Sequence, residues 1–313
     1  MQYRRLGRTN LRVSLLGLGS GGRSRLGQAH GLDQDAVTRI VRQALDQGVN
    51  VIDTAPAYGR SEELLGSALD GVPRDQYILG TKMLPVENDV MQPAEALRAS
   101  LENSLRLLRI DHVDVLYLHA VAPEWVDRVL ERFREPLEQL QRDGLVRFLG
   151  VTEAFNDDHQ HLALRAILPL GLFDVAMVGY NVLSPAPVQH VFPLAQADDV
   201  GVVVMCAVRG VLLQPQRIRE VVAEWKAAGL LAADAVPDDE PLDWLLGPWA
   251  DSVPAAAYKF AAAHPAVSTV LTGTGRLEHL TQNLAAILGT PLPDDLVQRA
   301  YRTFAPVSRN ASF

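Results

Sequence analysis

Eight short apolar runs, each followed by a longer stretch of helical periodicity, constrain the fold of this chain more than any other feature of its sequence. The runs are VSLLGLG from Val13, VNVIDTA from Val49, YILGTK from Tyr77, VDVLYLH from Val113, VRFLGVT from Val146, VAMVGYN from Val175, VGVVVMC from Val200 and STVLTG from Ser268. Continuous apolar strands are covered on both faces, and strands that alternate with helices return parallel to one another. The spacing predicts helices near 33–48, 61–70, 93–108, 124–143, 157–168, 187–199, 215–228 with 240–264, and 276–288. Eight such units favour closure into an α/β fold of the (β/α)8 TIM barrel type over an open sheet.

Two segments stand outside the rhythm. Residues 2–14, QYRRLGRTNLRVS, read as an N-terminal β-hairpin around the turn from Gly7 to Asn10. Residues 209–253 read as a long loop and helical excursion between strands seven and eight, with Trp244 and Trp249 packing it onto the barrel. No composition shift or polar linker divides the chain, so a single domain over 1–313 is expected.

Charge and composition narrow the function. A formal net charge of −8 argues against nucleic acid as the main partner. The N-terminal MQYRRLGRTN lacks an apolar signal core and no apolar run approaches membrane-spanning length, which predicts a cytoplasmic protein with no membrane partner. Cys206 is the single cysteine, so no internal disulfide and no thiolate metal site is expected. Its setting, VVVMCAV, reads as that of a buried structural thiol.

Polar residues end several of the apolar runs, at the barrel face where the loops after the strands gather. Asp53 ends the second strand with Tyr58 on its loop, Lys82 ends the third, and His119 ends the fourth. Each has a structural alternative when taken alone: a loop cap, a solvated lysine, a core histidine. Together they suit carbonyl reduction, in which negative charge developing on oxygen must be met by a proton. A tyrosine is a weak acid near neutral pH, and a nearby ammonium stabilises its phenolate. Lys82 would do this with Asp53 fixing it, and His119 would orient the substrate oxygen or help relay the proton.

These residues sit in stretches that resemble the aldo-keto reductase family. NVIDTAPAYGRSEELLG resembles the family's second-strand signature, LRIDHVDVLYLH the stretch that delivers its histidine, and VSTVLTGTGRLEHLTQNLAAI its C-terminal cofactor segment. The resemblance implies a catalytic tetrad of Asp53, Tyr58, Lys82 and His119, with Tyr58 as general acid. It implies NADPH, with NADH as the second candidate, lying extended across the barrel face without a Rossmann domain. Gly19, Ser20 and Gly21 would let the backbone approach the cofactor, and Tyr180 would stack on the nicotinamide. Gly273, Thr274, Arg276 and His279 match the phosphate-binding region, and Gln282 and Asn283 match positions facing the adenine. Thr152 and Glu153 stand where the family usually carries Ser-Asn to hold the nicotinamide carboxamide, and Met177 stands where it usually carries Gln.

The reaction implied is hydride transfer between nicotinamide and an aldehyde, ketone or sugar carbonyl, or the reverse with an alcohol. Two alternatives stay open at this point: a non-catalytic, cofactor-binding regulatory subunit, and a phosphate-handling barrel enzyme with Lys82 as a Schiff-base amine. Substrate choice would rest on the AVAPEW loop, the 209–253 excursion and the tail from Phe304 to Phe313, with Phe155 and Trp125 as pocket or packing residues. The oligomeric state is left open.

Overall fold

The computed structural model describes residues 1–307 of the chain; 308–313, the end of the tail assigned to substrate shaping, lie outside the described residues. Eight parallel strands form a closed barrel: β1 (Leu16–Gly19), β2 (Val51–Asp53), β3 (Ile78–Met83), β4 (Val113–Val121), β5 (Val146–Glu153), β6 (Val175–Gly179), β7 (Gly201–Met205) and β8 (Val267–Thr272). They follow one another around the wall in chain order, and β8 closes on β1. The expected (β/α)8 architecture is therefore the observed one.

Helices cover the outside: α1 (Gln34–Asp46), α2 (Ser61–Ala68), α3 (Glu95–Leu108), α4 (Val126–Arg142), α5 (Leu162–Ile167), α6 (Pro187–His190), α7 (Phe192–Ala197), α8 (Pro215–Ala227), α9 (Val253–Ala263), α10 (Leu277–Leu288) and α11 (Asp294–Phe304). Asp33 starts α1 by accepting a hydrogen bond from the Ala36 N–H at 2.8 Å, which satisfies one of the free amides of the first turn. Three expectations change in detail. The helix expected over 157–168 shrinks to α5 because the chain turns through Asp158 and a left-handed His161 first. The segment expected as helix over 240–264 holds one 3-10 turn, Asp243–Leu245, and becomes α-helical only from Val253, after Ser252 caps its first turn. The last helix, α11, stands beyond the expected set, with Val297, Ala300 and Phe304 recurring at helical spacing and all buried.

Inside the barrel, alternation along each strand sends Val51, Val115, Tyr117, Val175, Met177 and Val203 inward as one apolar cluster. The Tyr117 ring takes the space that side chains at Gly80 and Gly150 would need; a Cβ on Gly80 would stand 2.9 Å from it. The N-terminal hairpin, Tyr3–Arg5 paired antiparallel with Arg12–Ser14, closes the amino-terminal end. Leu6 and Val13 from it complete the inner cluster, each burial stabilising by about 1.5–3 kcal/mol. Around the same end Asp114 accepts from Arg74 (2.6 Å), Arg147 (2.5 Å) and the Leu79 amide (2.8 Å), fastening β3, β4 and β5 together. The packing leaves the opposite end free to carry polar groups.

Candidate active site

Strand parity builds the site. Val51 points into the barrel, so Asp53 two residues on does too; the same count from Ile78 brings Lys82 inward, and from Val115 and Tyr117 it brings His119 inward. The three side chains meet above the inner apolar layer. Lys82 makes a buried ion pair with Asp53 and donates a second hydrogen bond to the Thr54 carbonyl at 2.8 Å. Pro56 opens a short helical turn that presents Tyr58 over this pair, with the Lys82 Nζ 5.0 Å from its ring centroid. The His119 ring meets Tyr58 edge-on at 5.8 Å. Gly21 makes room for the phenol, since a Cβ there would lie 2.7 Å from the Tyr58 ring.

The electrostatics follow from burial opposed by one cation. Burial works against the Lys82 charge, yet Asp53 and Tyr58 outweigh it and raise the ammonium's pKa, so Lys82 stays protonated. Burial pushes the Asp53 carboxyl up, with Lys82 opposing. Tyr58 is also raised by burial, against the lowering pull of Lys82. The ammonium thus acts in the direction anticipated, but desolvation is larger and the free site holds a protonated phenol. Burial, reinforced by Lys82, pushes His119 down to about 3 and leaves it neutral.

The residues assigned to the cofactor divide into two groups. Gly19, Ser20 and Gly21 leave β1 at the mouth, where the Ser20 amide donates to the Asp53 carbonyl at 2.8 Å and the Ser20 hydroxyl is buried with no partner among the described residues. Gly273 lies opposite, its Cβ direction 3.6 Å from the Gly21 carbonyl oxygen. Thr274 accepts from the Arg276 amide at 3.0 Å and sets the start of α10, leaving Arg276 and His279 exposed. Gln282 is exposed too, whereas the Asn283 amide donates to Thr272 at 2.7 Å and ties α10 to the end of β8.

Two assignments from the resemblance, Tyr180 and Glu153, do not reach the mouth. Tyr180 follows the outward parity of Ala176 and Val178. Its ring is fully buried against Phe192 and Phe260, at 5.0 and 5.2 Å, and its hydroxyl pairs with Tyr301 at 2.8 Å, so it is closed off from stacking on a ligand. Glu153 likewise shares the outward parity of Leu149 and Val151; one oxygen accepts from the Gly179 amide at 2.7 Å and the other faces His161 Nδ1 at 2.6 Å. Met177 is inside the barrel, buried in the lower apolar cluster. Thr152 is inward, accepting from the Ala120 amide at 2.8 Å beside His119.

Cys206 is exposed rather than buried, because a left-handed φ of 59° turns the chain off the end of β7. Crowding by protein still raises its thiol pKa, Arg209 opposing and Glu153 adding. Phe155 is buried over Gly179 and against His161, a packing role. Trp125 is half-buried under Arg128. In the excursion, Trp244 and Trp249 donate their indole N–H groups to Pro241 and Leu245 carbonyls at 2.8 and 2.9 Å, folding the segment on itself. Sequence reasoning missed His161, whose partner lies eight residues earlier with no periodic link, and Arg23, whose guanidinium crosses from the β1 loop to Gly210 after β7, 2.8 Å from a Cβ built there.

Comparison with known proteins agrees with this fold. Residues 16–301 match the model of the Aldo/keto reductase family. L-Galactose dehydrogenase of Arabidopsis thaliana is 29% identical over 305 residues, covering 92% of this chain and 88% of its own. D-threo-Aldose 1-dehydrogenase of a Pseudomonas species is 27% identical, covering 87% and 89% respectively. Among solved structures, an aldo-keto reductase of Bacillus halodurans in its holo form superposes with a TM-score of 0.72 at 26% identity, covering 96% of each chain.

Proposed function

Because the chain belongs to the aldo/keto reductase family, and so to the NAD(P)H-dependent oxidoreductases acting on small carbonyl or sugar substrates, we propose that Tyr58 is the general acid of a hydride transfer using NADPH. The observation that carries this reading is the meeting of Tyr58, the Lys82–Asp53 pair and a neutral His119 at one barrel end. The names of the two relatives favour an aldose as substrate, oxidised at its anomeric carbon, with simple aldehydes and ketones reduced by the same chemistry. In this reading 1–313 acts as one domain.

What supports an extended dinucleotide at the mouth is that Gly273 adds no side chain where the β8 loop faces the β1 loop, and that the Ser20 hydroxyl has no partner among the described residues. Gly19, Ser20, Gly21, Gly273, Thr274 and Arg276 would hold it, Arg276 and the free amides at the start of α10 meeting phosphate. When bound, the cofactor supplies or accepts the hydride. His119, being neutral, offers a ring N–H to the substrate oxygen and orients it. Tyr58 keeps its proton at neutral pH until charge gathers on that oxygen; the alkoxide is a far stronger base than a phenolate, so the proton passes from Tyr58 Oη to it. Lys82, held by Asp53 and the Thr54 carbonyl, then stabilises the phenolate. In the oxidative direction the same proton returns.

The test is steady-state turnover of L-galactose, D-threo-aldoses and a panel of aldehydes and ketones with both NADP(H) and NAD(H), for the unmodified chain and Tyr58→Phe. The expected result is a fall in kcat of roughly 10²–10⁴ in Tyr58→Phe with cofactor affinity retained. Equal turnover by the two proteins would overturn the role of Tyr58.

A further inference from the structure

We infer that the Glu153 carboxylate, sealed behind β5 with His161, biases this site toward the oxidised, cationic nicotinamide over the reduced, neutral one. The inference rests on the proposed cofactor site and adds to it which redox state that site favours. Glu153 pairs in register with Val121, two residues beyond His119, and its neighbour Thr152 holds the Ala120 amide. One strand spacing, about 5 Å, therefore separates its backbone from the strand that delivers His119 to the reacting end.

The charge state follows from the hydrogen-bond inventory. Glu153 is 2% exposed and both its oxygens meet donors, the Gly179 amide and His161 Nδ1. His161 Nε2 is buried with no hydrogen-bond partner among the described residues. A doubly protonated ring would bury a charged N–H with nothing to accept it, whereas a neutral ring leaves only an empty lone pair. Burial pushes the Glu153 carboxyl up, opposed by His161 and the Gly179 amide; with a ring that donates Nδ1–H, both carboxylate oxygens are met and the dyad carries one negative charge. Nearby, Asp158 directs its own charge at the Leu162 and Ala163 amides opening α5, both at 2.8 Å, while Arg209 lies over the Phe155 ring at 5.4 Å. With Glu153, Asp158 and Arg209 counted together, the cluster remains negative. Across two strand spacings, about 10 Å, and at an effective dielectric constant near 20, unit charges attract strongly enough for roughly a tenfold preference.

The experiment titrates the full chain with NADP⁺ and with NADPH, or with NAD⁺ and NADH if that pair binds tighter, following intrinsic fluorescence. Unmodified protein is compared with Glu153→Gln, Glu153→Asn and His161→Asn. The ratio of oxidised to reduced Kd is expected to rise about tenfold in both neutral Glu153 variants. It is expected to stay unchanged in His161→Asn, which breaks the same hydrogen bond but leaves the carboxylate. A ratio unmoved in the Glu153 variants, or moved equally in His161→Asn, overturns the inference. Should the Glu153 variants not fold, the unmodified protein decides: reduced cofactor bound tighter than oxidised overturns it, and oxidised cofactor bound at least as tightly supports it. Binding of neither pair would overturn the proposed cofactor site itself and this inference with it.

Discussion

Replacing one member of the Asp53–Lys82 pair tests how the site is held together. The Lys82 side chain is 0% exposed and that of Asp53 7%, so neither charge can turn to water. Two unit charges 4 Å apart at an effective dielectric constant near 20 attract by about 4 kcal/mol, and deleting one member of a buried pair costs about 3–5 kcal/mol. Asp53→Asn leaves the ammonium its bond to the Thr54 carbonyl and the face of Tyr58, so its loss should fall near the lower end, about 3 kcal/mol. Lys82→Met differs, because the abandoned carboxylate, already raised by burial, can escape by taking a proton. Its folded pKa then lies above the unfolded value, and folding takes up a proton in the window between the two. Stability of Lys82→Met should therefore fall as pH rises through that window, the deficit being greatest at and above neutral pH. The double variant replaces both charges by neutral groups and should lose less than the sum of the single losses, by about 3 kcal/mol. Urea unfolding of the four proteins at pH 7, with Lys82→Met repeated at pH 5.5, measures all of this. Single losses that add to within about 0.5 kcal/mol in the double variant would refute a coupled buried pair.

Other perturbations probe neighbouring features. His119 is neutral because its folded pKa is about 3, so the stability this confers is complete above the unfolded value near 6.5 and is lost as pH falls toward 3. Between pH 7.5 and 5 the unmodified chain should lose about 2 kcal/mol more than His119→Gln, and parallel stability curves would count against it. Tyr180→Phe should cost about 1 kcal/mol for the lost bond to Tyr301 and leave nicotinamide affinity unchanged; a clear loss of affinity would restore the stacking role. Gly150→Ala drives a methyl into the Tyr117 ring and should cost about 1–3 kcal/mol by thermal unfolding, with much of the loss recovered in a Tyr117→Leu background. If that background recovers nothing, the ring is not what excludes the side chain.

The sequence by itself determined the barrel and the place of its reactive end. Eight apolar runs at strand length, separated by helical periods, leave the chain few other ways to bury its backbone, and an Asp, a Lys and a His ending three of them must rise at the same rim. The period of two even carried the answer for Tyr180 and Glu153: counted from the inward residues of β6 and β5, both fall on the outer face. Resemblance placed them at the cofactor, while parity placed them behind the wall. What the chain's order alone did not decide were the events that depend on long-range contact. A left-handed residue after β7 exposes Cys206, Glu153 meets His161 across a turn, and Arg23 spans the mouth to Gly210. Nor could it decide Tyr58's ionisation, because burial and the Lys82 charge pull its pKa in opposite directions. Strand periodicity is a local property written along the chain; desolvation and charge are set by whatever the folded wall brings alongside.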